Sequence, residues 1–168
     1  MSLHRANLGS GQDNAVLGQP IGLLVILIIA TAIIALFCLS AQNLMNDSQI
    51  HQVEHQIDTI LTEATNMFEY ADDGSQTTIH IQFPASLRFI VFGSLPRNGT
   101  VEPIDLTLDE NSSNNYYYVM DDGAIRTFHS NARFSDHNLT QIALFHSGSY
   151  FITMELFYRE GKTYVALS

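Results

Sequence analysis

Residues 21–41 read IGLLVILIIATAIIALFCLSA, twenty-one positions without a charge. A helix of ~20 residues rising 1.5 Å per residue crosses the ~30 Å hydrocarbon layer of a bilayer. Lipid offers backbone polar groups no outside partner, so a segment of this kind must satisfy them internally as a helix. Its length and purity separate it from the buried core helix of a soluble protein. A cleaved secretory signal has a shorter apolar region, ~7–15 residues, and ends on small residues, a pattern that Cys38 and Ser40 match poorly. The bulky Phe37 ahead of Cys38 also speaks against lipidation of that cysteine. An uncleaved transmembrane anchor is the expectation.

Charge is distributed around this run very unevenly. No Asp, Glu, Lys or Arg lies between Asp13 and Asp47, and sixteen acidic against six basic residues follow Gln42, which accounts for the whole net charge of −10. Nucleic-acid binding depends on Lys and Arg that displace counterions from phosphate, so so acidic a region excludes nucleic acid as a partner. Arg5 and the amino terminus precede the run, whereas Asp47, Glu54 and Asp58 follow it. The positive-inside bias then places the N-terminus in the cytoplasm and the C-terminal domain outside the cell. Four N-glycosylation acceptor patterns, at Asn46, Asn98, Asn111 and Asn138, all lie downstream of the run and fit that orientation. Cys38 is the sole cysteine, so an exported domain must hold together without an intrachain disulfide.

Beyond Ala41 the apolar residues become periodic. Ile50, Val53, Ile57, Ile60, Leu61, Ala64, Met67, Phe68 and Ala71 recur in steps of three and four, the signature of one face of an amphipathic helix. No Pro or Gly interrupts residues 23–73, and Asp73-Gly74 supplies a stop. The spacing predicts one helix of about 50 residues, half apolar all round and half striped.

From Thr77 the period switches to two. Ile79, Ile81 and Phe83 alternate with polar residues up to Pro84; Leu87–Phe92 reads as a buried strand, and Ile104, Leu106 and Leu108 alternate again. Asp121-Asp122-Gly123 joins Tyr116–Met120 to Ala124–Phe128 as a hairpin, and Gly161-Lys162 helps turn the alternating run 150–158 back into Thr163–Leu167. The fold class is therefore α+β: a long N-terminal transmembrane and amphipathic helix packed on a C-terminal antiparallel β-domain. Its segments are a cytoplasmic leader or arm at 1–20, the transmembrane helix at 21–41, its amphipathic extension at 42–73, and an extracytoplasmic β-rich domain at 74–168.

One motif carries potential chemistry. His51-Gln52-Val53-Glu54-His55 matches the H-x-x-E-H pattern, in which two helical histidines hold zinc and a glutamate acts as general base. A third ligand is also needed, and Glu102, Glu110 and Glu155 are equally eligible. The histidines occupy the polar side of a helix whose other side must pack, so a solvated face is the expected reading. Asp105, Asp109, Glu110, Asp121 and Asp122 fit no calcium-loop signature. The Tyr116-Tyr117-Tyr118 run reads as a strand with alternate side chains facing in and out. No catalytic residue, metal site or cofactor is expected, and the chain reads as non-enzymatic.

Gly18-Gln19-Pro20-Ile21-Gly22 precedes the apolar helix. With the amphipathic continuation and small β-domain, this layout resembles archaeal type IV pilin-like proteins, including archaellins and minor pilins. The resemblance implies cleavage between Gly18 and Gln19 and assembly into a surface filament, with apolar helices bundled inside and β-domains outside. Partners would be membrane lipid, further copies of the chain, or other pilin-like subunits. Gly22, Ala30, Ala32 and Ala35 would permit close helix approach. The chain departs from the family pattern at Ala15-Val16-Leu17, where Lys or Arg is usual, and at Leu23, where bacterial pilins carry Glu. A permanently anchored ectodomain, accessory to a larger membrane complex, is the alternative.

Overall fold

The computed structural model describes residues 13–97, 102–103 and 105–168, with side chains described from Ile21 onward. A single helix, α1, spans Asp13–Tyr70. It begins before Ile21, where the apolar run sets in, and ends one residue before the Ala71 that closes the periodic stripe. Eight strands follow: β1 Gln76–Phe83, β2 Leu87–Phe92, β3 Asn115–Met120, β4 Ile125–His129, β5 Phe134–Ser135, β6 Ala143–Phe145, β7 Gly148–Arg159 and β8 Lys162–Leu167. The fold class is α+β. The chain divides into two compact units at Asp47/Ser48, so the last turns of α1 belong with the β-domain.

Within the second unit, the helical stripe is the spine of the core. Val53, Ile57, Ile60, Ala64 and Met67 are all at most 5% exposed, and Ile50, Leu61, Phe68 and Ala71 pack against them from the margin. Burial of each large side chain contributes about 1.5–3 kcal/mol relative to exposure. The helix ends at Asp72-Asp73-Gly74, and the chain passes directly onto β7. Gly74 N–H donates to Leu156 O at 2.8 Å, Leu156 N–H donates to Ser75 O at 2.9 Å, and Tyr158 N–H donates to the Asp73 carboxylate at 2.7 Å.

Alternation along the chain implies one sheet; the domain contains two, in the orders β1-β7-β8-β5 and β4-β3-β2-β6. All pairings are antiparallel except the two-residue parallel contact of β5 with β8. The second sheet explains the near-continuous apolar character of β2 and β3, broken only at Arg88 and Asn115. Ile90, Phe92, Tyr116, Tyr118 and Met120 face the helix and the first sheet. On the other face Phe89, Val91, Tyr117 and Val119 form a separate cluster with Ile142, covered by Leu106, Leu108 and Leu144. The tyrosines do alternate between faces, but both faces are covered, so none of the three points to solvent.

The cover over that second face is the stretch read as a strand around Leu106. Leu106 and Leu108 lie in an irregular strap, tied by Ile142 N–H to Leu106 O at 2.8 Å, Leu108 N–H to Thr140 O at 2.9 Å and one isolated bridge between Thr107 and Gln141. Ile104 lies outside the described residues. The strap departs from β2 at Gly93, whose φ of +91° and whose missing Cβ are both required: a Cβ there would meet Phe134 O at 2.7 Å.

The helix also guards a sheet edge. β1 is the outermost strand of its sheet, and Gln82 N–H donates to the Gln56 side-chain carbonyl of α1 at 3.0 Å. A glutamine amide thus stands where a neighbouring strand would otherwise accept.

Candidate functional site

The apolar run is an unusual surface among the described residues. Fifteen large apolar side chains between Ile21 and Met45 are 49–76% exposed, a contiguous apolar surface of the kind that marks an interaction site with lipid or protein. Among the described residues α1 is the one helix long and apolar enough to cross a membrane, and it lies near the N-terminus. The run's one hydroxyl in its interior, Thr31 Oγ1, donates to Leu27 O at 2.8 Å, so it needs no outside partner. Cys38 is free and exposed on the same stretch.

Gly22, Ala30, Ala32 and Ala35 are all exposed on this helix, and Gly22 has open space where a Cβ would stand. At about 100° per residue, Ala32 and Ala35 are neighbours on one side while Ala30 is on the opposite side. They do not form a single small-residue stripe. Close approach would therefore involve more than one helix side, as in a bundle. Gly18 and Gln19, the candidate cleavage pair, fall in the helical turns whose side chains lie outside the described residues. Of the acceptor asparagines, Asn46 is exposed within α1, and Asn111 and Asn138 are exposed in turns; Asn98 lies outside the described residues. The Asn111 pattern is partly closed off, because Ser113 is fully buried with its hydroxyl donating to Glu110 O at 2.9 Å.

The polar side of α1 does not gather a metal-ligand set. His51 is 80% exposed with Nδ1 at 3.6 Å from Glu54 Oε2, His55 is also exposed, and no group of three His, Cys, Asp or Glu fit to hold a metal occurs among the described residues. Glu54 is committed elsewhere. Its Oε1 accepts from the Tyr118 hydroxyl at 3.0 Å and from Arg126 at 2.8 Å, which ties the helix to β3 and β4. Burial pushes the Tyr118 hydroxyl up to about 12, and the hydrogen bond to Glu54 adds to the shift, so the phenol stays a donor.

The acidic loop residues are turn-formers. Asp105 accepts from Thr107 N–H at 2.9 Å, Asp109 from Asn111 N–H at 3.0 Å and Asp122 from Ala124 N–H at 2.9 Å. The hydrogen bonds from Thr107, with Arg97 nearby, hold the Asp105 carboxyl below its ordinary range. Glu110 pairs with Lys162, raising the lysine. Sequence reasoning passed over Asp136, whose carboxylate accepts from Thr140 and Gln141 N–H at 2.8 Å each and shapes the turn around Asn138. The Asp that opens Asp-His-Asn-Leu-Thr was the available signal, since Asp commonly caps its own downstream backbone.

Comparisons with protein-family models, with curated proteins and with solved structures each find no match to the chain.

Proposed function

We propose that the protein is a non-enzymatic, pilin-like structural subunit of a surface filament or cell-envelope assembly of the archaeal kind, with its C-terminal domain outside the cell. The observation that carries this reading is the division of labour along α1. Residues 21–45 present apolar side chains on every side, while the turns from Val53 to Met67 serve as the spine of a β-domain. An uncharged apolar rod finds equivalent surroundings in lipid and in a bundle of like helices, so a single segment serves first as anchor and then as filament core. The exposed small residues on more than one helix side support packing against several neighbours. Asn46 and Asn138 are exposed and would be open to glycan attachment.

The second reading, a permanently anchored accessory ectodomain, is favoured by Ala15-Val16-Leu17 where the family carries a basic residue before the cleaved bond. Intact-mass measurement of the native protein separates the two. A mature chain beginning at Gln19 is expected; retention of residues 1–18 in the membrane-extracted protein removes the processed-subunit reading.

A further inference from the structure

Glycosyl transfer to asparagine reads two groups together, the side-chain amide and the hydroxyl two residues later, and it attaches a bulky polar body that only a surface can carry. Exposure of the asparagine alone is therefore not sufficient. Asn46 is exposed, but it and Ser48 lie two residues apart in α1, and such positions point to different sides of a helix. Asn46 also lies only ~7.5 Å along the helix from Ala41, at the depth of a lipid headgroup layer ~5–8 Å thick. At Asn111 the hydroxyl is the obstacle: Ser113 is fully buried and donates to Glu110 O at 2.9 Å.

Asn138-Leu139-Thr140 has neither defect. Asn138 and Thr140 are both exposed and lie outside any helix or strand, and Leu139 turns the chain between them at a φ of +58°. The turn is clamped from within. Asp136 N–H donates to Gln141 O at 2.8 Å, Leu139 N–H donates to Asp136 O at 3.1 Å, and the Asp136 carboxylate accepts from Thr140 and Gln141 N–H. None of these bonds uses the Asn138 side chain or the Thr140 hydroxyl. Thr140 also borders an open groove of ≈ 370 Å³, whose other walls include Thr107 of the strap and Arg159 and Glu160 of the β7–β8 turn. We infer that Asn138 is the residue of the folded domain that carries an N-linked glycan, in preference to Asn46 and Asn111. Modification of Asn138 rests on the outward placement of the domain in the proposed function. In the transfer, Asn138 Nδ2 bonds to the anomeric carbon of a glycosyl phosphate or pyrophosphate donor. The donor's C–O bond breaks, the phosphate group leaves with the electron pair, and the amide loses one proton.

The test is glycopeptide mapping of the chain isolated from its own cells, paired with labelling of intact cells by a membrane-impermeant amine reagent. Lys162 is the sole lysine, so its label reports on which side of the membrane the domain lies. Expected are a labelled Lys162, a glycan mass on the Asn138 peptide, and bare Asn46 and Asn111 peptides. Thr140→Ala should lose the glycan completely and Thr140→Ser should keep it, with melting temperatures showing that both variants fold. Asn138→Gln should lose it as well while the Asp136 turn stays in place. A bare Asn138 on cells whose Lys162 is labelled overturns the assignment and leaves the outward placement standing. A Lys162 that labels only after lysis overturns both. Occupancy of Asn46 or Asn111 equal to that of Asn138, or a glycan retained in Thr140→Ala, also overturns the assignment.

Discussion

Two stretches of the same helix distribute their apolar side chains in different ways. Between Ile21 and Met45 every large apolar side chain is about half exposed or more, with no face distinguished from another. Between Ile50 and Phe68 the apolar residues gather along one face, buried at Val53, Ile57, Ile60, Ala64 and Met67 and half-buried at Ile50, Leu61 and Phe68, opposite Glu54, His55 and Asp58. Backbone geometry is the same in both. What differs is the number of directions in which apolar side chains point: all of them for the first stretch, one for the second. Periodicity in a helix thus reports the shape of its environment, and loss of periodicity at high hydrophobicity reports lipid or a bundle.

The strongest way to break the contrast is to charge the first stretch. Ile29→Arg combined with Ile33→Arg should cost about 5–7 kcal/mol of insertion free energy at ~2.5–3.5 kcal/mol per residue near a helix centre. Carbonate-resistant membrane association should be lost while thermal unfolding of the β-domain is preserved. A domain that unfolds in this variant would show that the first stretch also stabilises the second.

The reciprocal experiment moves one methylene-rich side chain in each stretch. Ile60→Ala, at a position fully buried in the core, should lower unfolding stability by about 2–5 kcal/mol. Ile33→Ala, at 55% exposure, should leave the same transition in place. Equal effects on the unfolding midpoint would erase the distinction.

The smallest effect expected comes from pH. Burial, followed by the charges of Asp58 and Glu54, pushes Tyr116 up to about 12, and Tyr118 reaches about 12 as well. Unfolded tyrosines ionise near 10. The folded state therefore holds these protons more tightly, and the associated stability is present in full below pH 10 and lost as pH rises from 10 through 12. The melting temperature of the domain should fall across that window and recover partly in Tyr116→Phe. Membrane association should stay flat, because residues 21–41 contain no tyrosine.

Much of the helix was legible in the sequence because its two patterns are local. The strands beside clear turns were legible too. Asp121-Asp122-Gly123 marks the β3–β4 hairpin, and the β7–β8 turn is made by Glu160 and Gly161, both at positive φ. What alternation could not reveal was the second sheet. β5 and β6 are two and three residues long, too short for a period to register, and their pairings reach across to Val165 and Ile90. The strap carrying Leu106 and Leu108 has the spacing of a strand, yet among the described residues its cross-chain backbone bonds reach only residues 140–142, in one isolated bridge. The ties of Glu54 were hidden for a similar reason: Tyr118 and Arg126 are far away in sequence, and H-x-x-E-H directs attention to the histidines rather than to the glutamate's partners in β3 and β4.

The striped half of α1, with the glutamine that meets the outer edge of β1, sets where the chain could be cut without opening the domain. A protease acting near Asp47 would shed an acidic domain that keeps its helical spine and its guarded edge. A cut after Tyr70 would remove Val53 through Met67 and uncover both the core and the Gln82 backbone. A fragment that begins near Ser48 thus keeps the whole second compact unit, and one that begins after Tyr70 loses the spine of its core.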